Sequence, residues 1–168
     1  TSFRTGRLDL GWKGQWITDG SYQLNDKDSP IPMVFKKEFR VNKKIKSATL
    51  LSTALGIYEL ELNHTKIGED YFAPGFTSYD HQIQYQTYDL TSTLKENNTL
   101  IVTVGGGWAV GSFTYKRKNK VSADRQAFLC EIYVSYEDGS NEVIVSDTSW
   151  MVSEEGPYRF GDWYDGEV

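Results

Sequence analysis

Hydrophobic and polar residues alternate along most of this chain with a period of two, the period of a β-strand that buries one face. The alternation is clearest in residues 127–137, where every second residue from Phe128 to Tyr136 is apolar. About eight short strands separated by turns are typical of a β-sandwich or jelly roll. The predicted strands cover residues 33–41, 57–62, 66–68, 84–90, 99–104, 127–137, 142–146 and 149–152.

Turn residues divide these strands. Asn63-His64-Thr65 and Asp138-Gly139-Ser140 each stand between two strand patterns and predict hairpins. The best helical stretch, Asp89–Lys95, predicts about one turn that Asp89 or Thr91 would cap. We therefore divide the chain into three parts. These are an N-terminal segment and loop (1–32), a β-sandwich (33–153) and a C-terminal edge strand or linker (154–168).

Composition narrows the functional classes. The chain has 168 residues, 39% of them hydrophobic and 24% charged, which suits a single globular domain with one core. Its formal net charge of −5 argues against a nucleic-acid partner, which would normally require a basic surface. No apolar run approaches the roughly 20 residues that cross a bilayer, so no membrane partner is predicted. A single cysteine, Cys130, excludes an internal disulfide framework.

Catalytic machinery is not evident in the sequence. Nucleophilic catalysis needs a base within reach of the nucleophile, but Cys130 falls on the buried face of a predicted strand. His64 and His81 lie in a turn and a polar loop with no motif around them. The acidic residues near the end of the chain form a pattern typical of a solvated surface. We predict no catalytic residue and no metal site in this chain.

The glycine run Gly105–Gly107, followed by Trp108, is the most unusual local feature. No Lys-Ser/Thr pair follows it, and no helix that would hold an anion is predicted, so it is not a phosphate loop. One interpretation is a tight corner in which Trp108 closes the end of the sandwich. The other is a platform on which a sugar ring stacks. Candidate carbohydrate-binding residues are Trp108, Tyr79, Tyr115, Gly106 and Gly107.

An ordered set of motifs resembles the N-terminal β-sandwich domain of bacterial α-L-rhamnosidases, glycoside hydrolase family 78. The resemblance covers nearly the whole chain, and no single motif decides it. The motifs are Gly14–Ile17 (GQWI), Leu55–Leu60 (LGIYEL), Ala73–Tyr79 (APGFTSY), Tyr85–Thr91 (YQTYDLT) and Val104–Gly111 (VGGGWAVG). The fold that this resemblance implies is an all-β, single-domain jelly-roll sandwich of the galactose-binding-like type.

In that family, catalysis belongs to a separate (α/α)₆ barrel on the same polypeptide, which hydrolyses terminal α-L-rhamnosides with inversion. The resemblance therefore implies a non-catalytic accessory domain, partnered by the catalytic domain, that supports or shapes the barrel. The alternative is a carbohydrate-binding module that recognises rhamnose, a rhamnose-containing glycoside or a related sugar. A third hypothesis, an enzyme complete in this chain, predicts turnover of an aryl α-L-rhamnoside, and we expect none.

Some relatives bind rhamnose through calcium, which an Asp-Asn pair helps to hold. At the matching place this sequence has Leu55 and Gly56. Calcium prefers six to eight oxygen ligands, several of them carboxylates. Because these two residues offer only backbone carbonyls, we predict neither a calcium site nor any other cofactor.

Overall fold

A computed structural model describes residues 11–25, 28–112, 116 and 118–161. Within those ranges the regular secondary structure is almost entirely β-strand, as the two-residue alternation predicts. The strands are Met33–Arg40 (β1), Ile45–Leu55 (β2), Ile57–Leu62 (β3), Thr65–Ile67 (β4), Gln86–Asp89 (β5), Asn97–Gly105 (β6), Ala127–Tyr136 (β7), Asn141–Val145 (β8) and Met151–Ser153 (β9), and a single helical turn, Gly107–Val110 (α1), follows β6.

The strands form two antiparallel sheets. One sheet has five strands in the order β4-β3-β6-β1-β9, and the other has four in the order β5-β2-β7-β8. Strands distant in sequence lie side by side, since β1 pairs with β6 and β2 pairs with β7 along most of their lengths. This arrangement confirms the predicted all-β jelly-roll sandwich.

The core lies between the inner faces of the two sheets. Phe35 and Leu60 come from the five-stranded sheet, and Leu50, Phe128 and Ile132 come from the four-stranded one, and all five are essentially inaccessible to solvent. The alternation places these side chains inward, because neighbouring residues on a strand point to opposite faces. Each sheet therefore buries one face against the other.

Two predicted hairpins form as expected. Asn63 and His64 adopt φ values of 51° and 67°, the left-handed conformation that a two-residue turn between β3 and β4 requires. In the second turn, the Asp138 carboxylate accepts a hydrogen bond from the Ser140 N–H at 2.9 Å. The stretch beginning at Asp89 forms one hydrogen-bonded turn, with the Asp89 carboxylate accepting from the Thr91 N–H, but it does not extend into a helix.

The longest strand, β2, does not appear among the sequence predictions, and neither does α1. Residues 50–54 of β2 are all buried, so this strand has no polar face to reveal a period of two. Residues 154–161 form no strand, while residues 162–168 lie outside the described ranges. No helix among the described residues has the length and apolar character needed to span a membrane.

The Tyr58 phenol connects the two sheets through the core. Its hydroxyl lies 2.9 Å from the Ser52 hydroxyl of β2 and donates to the Gln86 side-chain oxygen of β5 at 2.8 Å. Burial raises the pKa of this phenol well above its usual range. The same cause raises the pKa of Tyr88 to about 12.

We expect these tyrosines to make the fold sensitive to alkali. The folded state keeps both phenols neutral above pH 10, whereas the unfolded chain releases their protons there. Their contribution to stability is therefore complete below about pH 10 and is lost as the pH rises above it. Urea midpoints at about pH 9 and about pH 11 measure this loss. The loss should be smaller in Tyr58→Phe, and an equal loss would contradict the assignment.

Candidate functional site: an exposed aromatic face

The glycine run forms a packed corner at the end of β6. A Cβ added at Gly106 would lie 2.3 Å from Pro30 Cγ, and one added at Gly107 would lie 2.7 Å from Ile57 Cγ2. Gly107 also has a φ of 51°, which L-residues with side chains rarely adopt. The corner begins the short helix α1, which corrects the expectation that no helix follows the glycines. Trp108 follows these buried glycines, and its own side chain is half-buried.

A loop between β4 and β5 lies against this corner. The Tyr58 N–H donates to the Ala73 carbonyl at 2.8 Å, which fastens the loop to the start of β3. Three large aromatic residues of the loop nevertheless remain exposed, Tyr71 at 77%, Phe72 at 57% and Phe76 at 58%. Such clustered exposure is uncommon on a globular domain and is typical of interaction sites.

Ring contacts join this loop to the glycine corner. The Phe72 and Phe76 ring centroids lie 6.1 and 6.3 Å from that of Trp108, both edge-to-face. Phe76 also contacts Tyr79, with the ring centroids 6.4 Å apart. We call these four residues, Phe72, Phe76, Tyr79 and Trp108, the aromatic face. Its rings hold one another in place, so the surface is formed before any partner binds.

The structure brings together two of the predicted site residues. Trp108 and Tyr79 lie on the same face, connected through Phe76, while Gly106 and Gly107 lie behind Trp108 and are buried. Tyr115 is outside the described residues. Burial raises the pKa of the Tyr79 phenol, whose hydroxyl faces the Gly75 carbonyl at 3.5 Å.

Phe72 and Phe76 are the members of the face that sequence reasoning misses. Both belong to residues 71–79 (YFAPGFTSY), a stretch rich in aromatic and turn residues. The high density of aromatic residues is the signal that could identify them. Alternation does not apply to a loop, so the sequence does not tell whether such rings are buried or exposed.

The outgoing chain passes the same corner. The Gly107 N–H donates to the Gly161 carbonyl at 3.0 Å, and a Cβ on Gly105 would lie 2.8 Å from that same oxygen. Backbone therefore packs on backbone here, which is possible only because both partners are glycines. Gly161 therefore lies against the glycine corner from which Trp108 follows.

A buried carboxylate fixes the N-terminal segment to the four-stranded sheet. Glu131 of β7 is fully buried, and its carboxylate accepts from the Gly14 N–H at 2.9 Å and from the Lys13 N–H. The Tyr133 hydroxyl donates to the same carboxylate. With these donors around it, Glu131 serves as a structural anchor.

Two other side chains that could react, Cys130 and His64, have clear structural surroundings. The Cys130 thiol is completely buried, and burial raises its pKa far above the physiological range. His64 is exposed in its turn, with Nδ1 3.5 Å from a Glu61 carboxylate oxygen. Within the described ranges, no three His, Cys, Asp or Glu side chains cluster so as to hold a metal ion.

The fold and the face together define the class, a jelly-roll β-sandwich domain with an exposed aromatic surface beside its glycine corner. Residues 43–168 match the family model of the α-L-rhamnosidase N-terminal domain. The chain belongs to that family.

Three relatives illustrate the similarity. An α-L-rhamnosidase of Formosa agariphila is 32% identical over 174 residues, an alignment that covers 99% of this chain and 19% of the relative. The crystal structure of an Aspergillus terreus α-L-rhamnosidase superimposes with a TM-score of 0.84 at 37% identity, over 90% of this chain and 18% of that one. A Streptomyces avermitilis α-L-rhamnosidase, solved in complex with L-rhamnose, gives 0.77 at 35% identity, over 83% and 14%. The chain therefore spans less than a fifth of the length of these relatives.

Proposed function

We propose that this domain is a non-catalytic accessory part of an α-L-rhamnosidase that hydrolyses terminal α-L-rhamnosides, and that it supports or shapes the catalytic domain of the same polypeptide. Family membership and the small share of each relative that the chain covers both support this proposal. The observation that carries it is the aromatic face, because a closed sandwich has no internal use for exposed Phe72 and Phe76.

The aromatic face is well placed to contact a neighbouring domain. Gly161 lies against the corner that carries Trp108, so the C-terminal end of the described residues is near one member of the face. Interfaces between domains of one chain gain most of their energy from a few large side chains at their centre. Phe72 and Phe76 match that description, since both are large and more than half exposed, and Trp108 packs against them.

The first test concerns docking. In the parent polypeptide, the double substitution Phe72→Ser with Phe76→Ser should weaken the contact between the domains by about 2–4 kcal/mol, because it removes two central aromatic anchors. Differential scanning calorimetry should then show this domain unfolding separately from the remainder. In the 168-residue chain alone, the same substitutions should leave the unfolding temperature nearly unchanged.

Met151→Ser is the matched control. Met151 is 55% exposed, close to the values for Phe72 and Phe76, but it lies on the edge strand β9. It should not alter the calorimetric trace of the parent. If the double variant melts like the parent itself, the aromatic face is not the docking surface.

A second function, recognition of a rhamnose-containing glycoside at the aromatic face, is supported by the partial exposure of Trp108 and Tyr79 on one surface. It ranks lower, because the Phe72 and Phe76 rings pack against Trp108 and, as hydrocarbons, offer no hydrogen bonds to sugar hydroxyls. A titration with L-rhamnose, with and without calcium, distinguishes the two functions by tryptophan fluorescence. Saturation that Trp108→Ala abolishes would favour glycoside recognition. We expect calcium to have no effect, since Leu55 and Gly56 offer no carboxylates.

A further inference from the structure

We propose that a groove on the outer surface of the four-stranded sheet binds one ring of a neutral sugar. The groove has a volume of about 350 Å³, within the range of small-ligand sites. Its floor includes Thr53 and Leu129, which pair across β2 and β7 and lie outside the core cluster, on the face turned away from it. The groove shares Tyr79 with the aromatic face, but Phe72, Phe76 and Trp108 are not among the residues that line it.

Aromatic side chains form much of the lining. Trp12 and Tyr85 meet edge-to-face with their ring centroids 5.8 Å apart, and Tyr79 also lines the groove. Trp16 lines it as well and remains 42% exposed. A pyranose ring presents C–H groups on its faces, and such groups pack on the faces of aromatic rings.

Polar side chains lie beside these rings. Asp80, His81 and Gln82 line the groove and are exposed, so they are available to hydrogen-bond with sugar hydroxyls. Among the described residues of the lining, Asp80 is the only carboxylate, and there is no Lys or Arg. A site with this charge disfavours an anionic ligand, which leaves a neutral polyhydroxylated ring as the best match.

Both walls of the groove are held by contacts within the domain. The Thr53 hydroxyl donates to the Gln84 carbonyl at 2.6 Å, which ties the loop carrying Asp80 and Gln82 to β2. Glu131 holds the backbone just after Trp12, and Ile17 pairs with Phe128 through hydrogen bonds of 2.9 Å in both directions, next to Trp16. The groove is therefore built before a ligand arrives, which lowers the cost of binding.

The test uses the 168-residue chain, whose core closes within itself. Methyl α-L-rhamnopyranoside, methyl β-D-glucopyranoside and methyl β-D-galactopyranoside are titrated separately while the indole N–H signals are followed by NMR. We expect saturable binding of at least one glycoside with a Kd on the order of 1–10 mM, as befits an open site with few contacts. Only the inclusion of a rhamnoside rests on the proposed function, whereas the groove itself does not.

Trp16→Ala should weaken the binding at least about tenfold, because it removes a stacking surface. Phe160→Ala is the matched control: Phe160 has the same 42% exposure and does not line the groove, so the Kd should stay unchanged. Gln82→Ala should weaken binding several-fold, and it keeps the test decisive if Trp16→Ala does not fold.

Three results would overturn the proposal. One is the absence of saturation by all three glycosides up to about 100 mM. Another is binding that survives both Trp16→Ala and Gln82→Ala. The last is a tighter response to choline, a cation that aromatic rings also attract, than to any glycoside. None of these affects the docking proposal, which depends on Phe72 and Phe76 in the parent polypeptide.

Discussion

Phe128→Ala should lower the free energy of unfolding by about 3–5 kcal/mol, the largest effect that we expect from a single core truncation. Phe128 is fully buried at the centre of the sandwich. Its ring centroid lies 5.8 Å from those of Tyr58 and Trp150 and 6.2 Å from that of Phe35. Removing the ring leaves a cavity bordered by three other rings that are themselves fixed by packing, so the space cannot close.

Chemical denaturation monitored by circular dichroism measures this loss. Phe160→Ala makes the same chemical change at an exposed position and should stay within about 0.5 kcal/mol of the unmodified chain. A loss below about 1.5 kcal/mol for Phe128→Ala would mean that the sheets can slide together to fill the gap. The interior would then be less rigidly packed than the structure indicates.

Gly107→Ala should be the most damaging change at the glycine corner, at about 2–5 kcal/mol. Alanine is strained at a φ of 51°, which accounts for about 1–2 kcal/mol. Its Cβ would also lie 2.7 Å from Ile57 Cγ2 and 3.0 Å from the Ile57 nitrogen, and the backbone of β3 cannot move aside easily. The same substitution should shift the fluorescence of Trp108, since the two residues are adjacent.

Gly139→Ala separates the effect of backbone strain from the effect of the steric contact with Ile57. Gly139 also has a positive φ, 84°, but a Cβ there meets no atom within 4 Å. It should therefore cost only the backbone term, about 1–2 kcal/mol. Equal losses at the two glycines would show that the close approach of Ile57 contributes nothing, and the corner would then be looser than described.

Strands are easiest to predict from the sequence where one face is buried and the other is exposed to solvent. β6 shows this clearly, because its inner residues meet the opposite sheet and its outer residues remain at least partly exposed. β2 does not, since Leu51 and Thr53 on its outer face are buried as well. Thr53 lies beside Trp16 and donates a hydrogen bond to the Gln84 carbonyl, and both of these residues are remote from it in sequence. No local period encodes such long-range burial.

The candidate site was only partly predictable for a related reason. The glycine run indicates Trp108 as a candidate, and the motif that ends at Tyr79 indicates its loop. Phe72 and Phe76 belong to no periodic pattern, so the sequence does not single them out. Glu131 shows the same limit. From the sequence alone, a Glu in a strand is expected to face solvent. Only the fold reveals that the backbone N–H groups of Lys13 and Gly14 donate to this carboxylate.

The hydrogen bond from the Gly107 N–H to the Gly161 carbonyl limits how far this domain can be shortened at its C-terminal end. A boundary drawn at the last strand, after Ser153, would appear natural from the sheet alone. Such a trimmed product would lose the acceptor that Gly107 uses and would uncover Gly105, Pro32 and Val34, which residues 156–161 touch. Gene fragments made to study this module should therefore extend past residue 161, or their tryptophan signals will report a damaged corner.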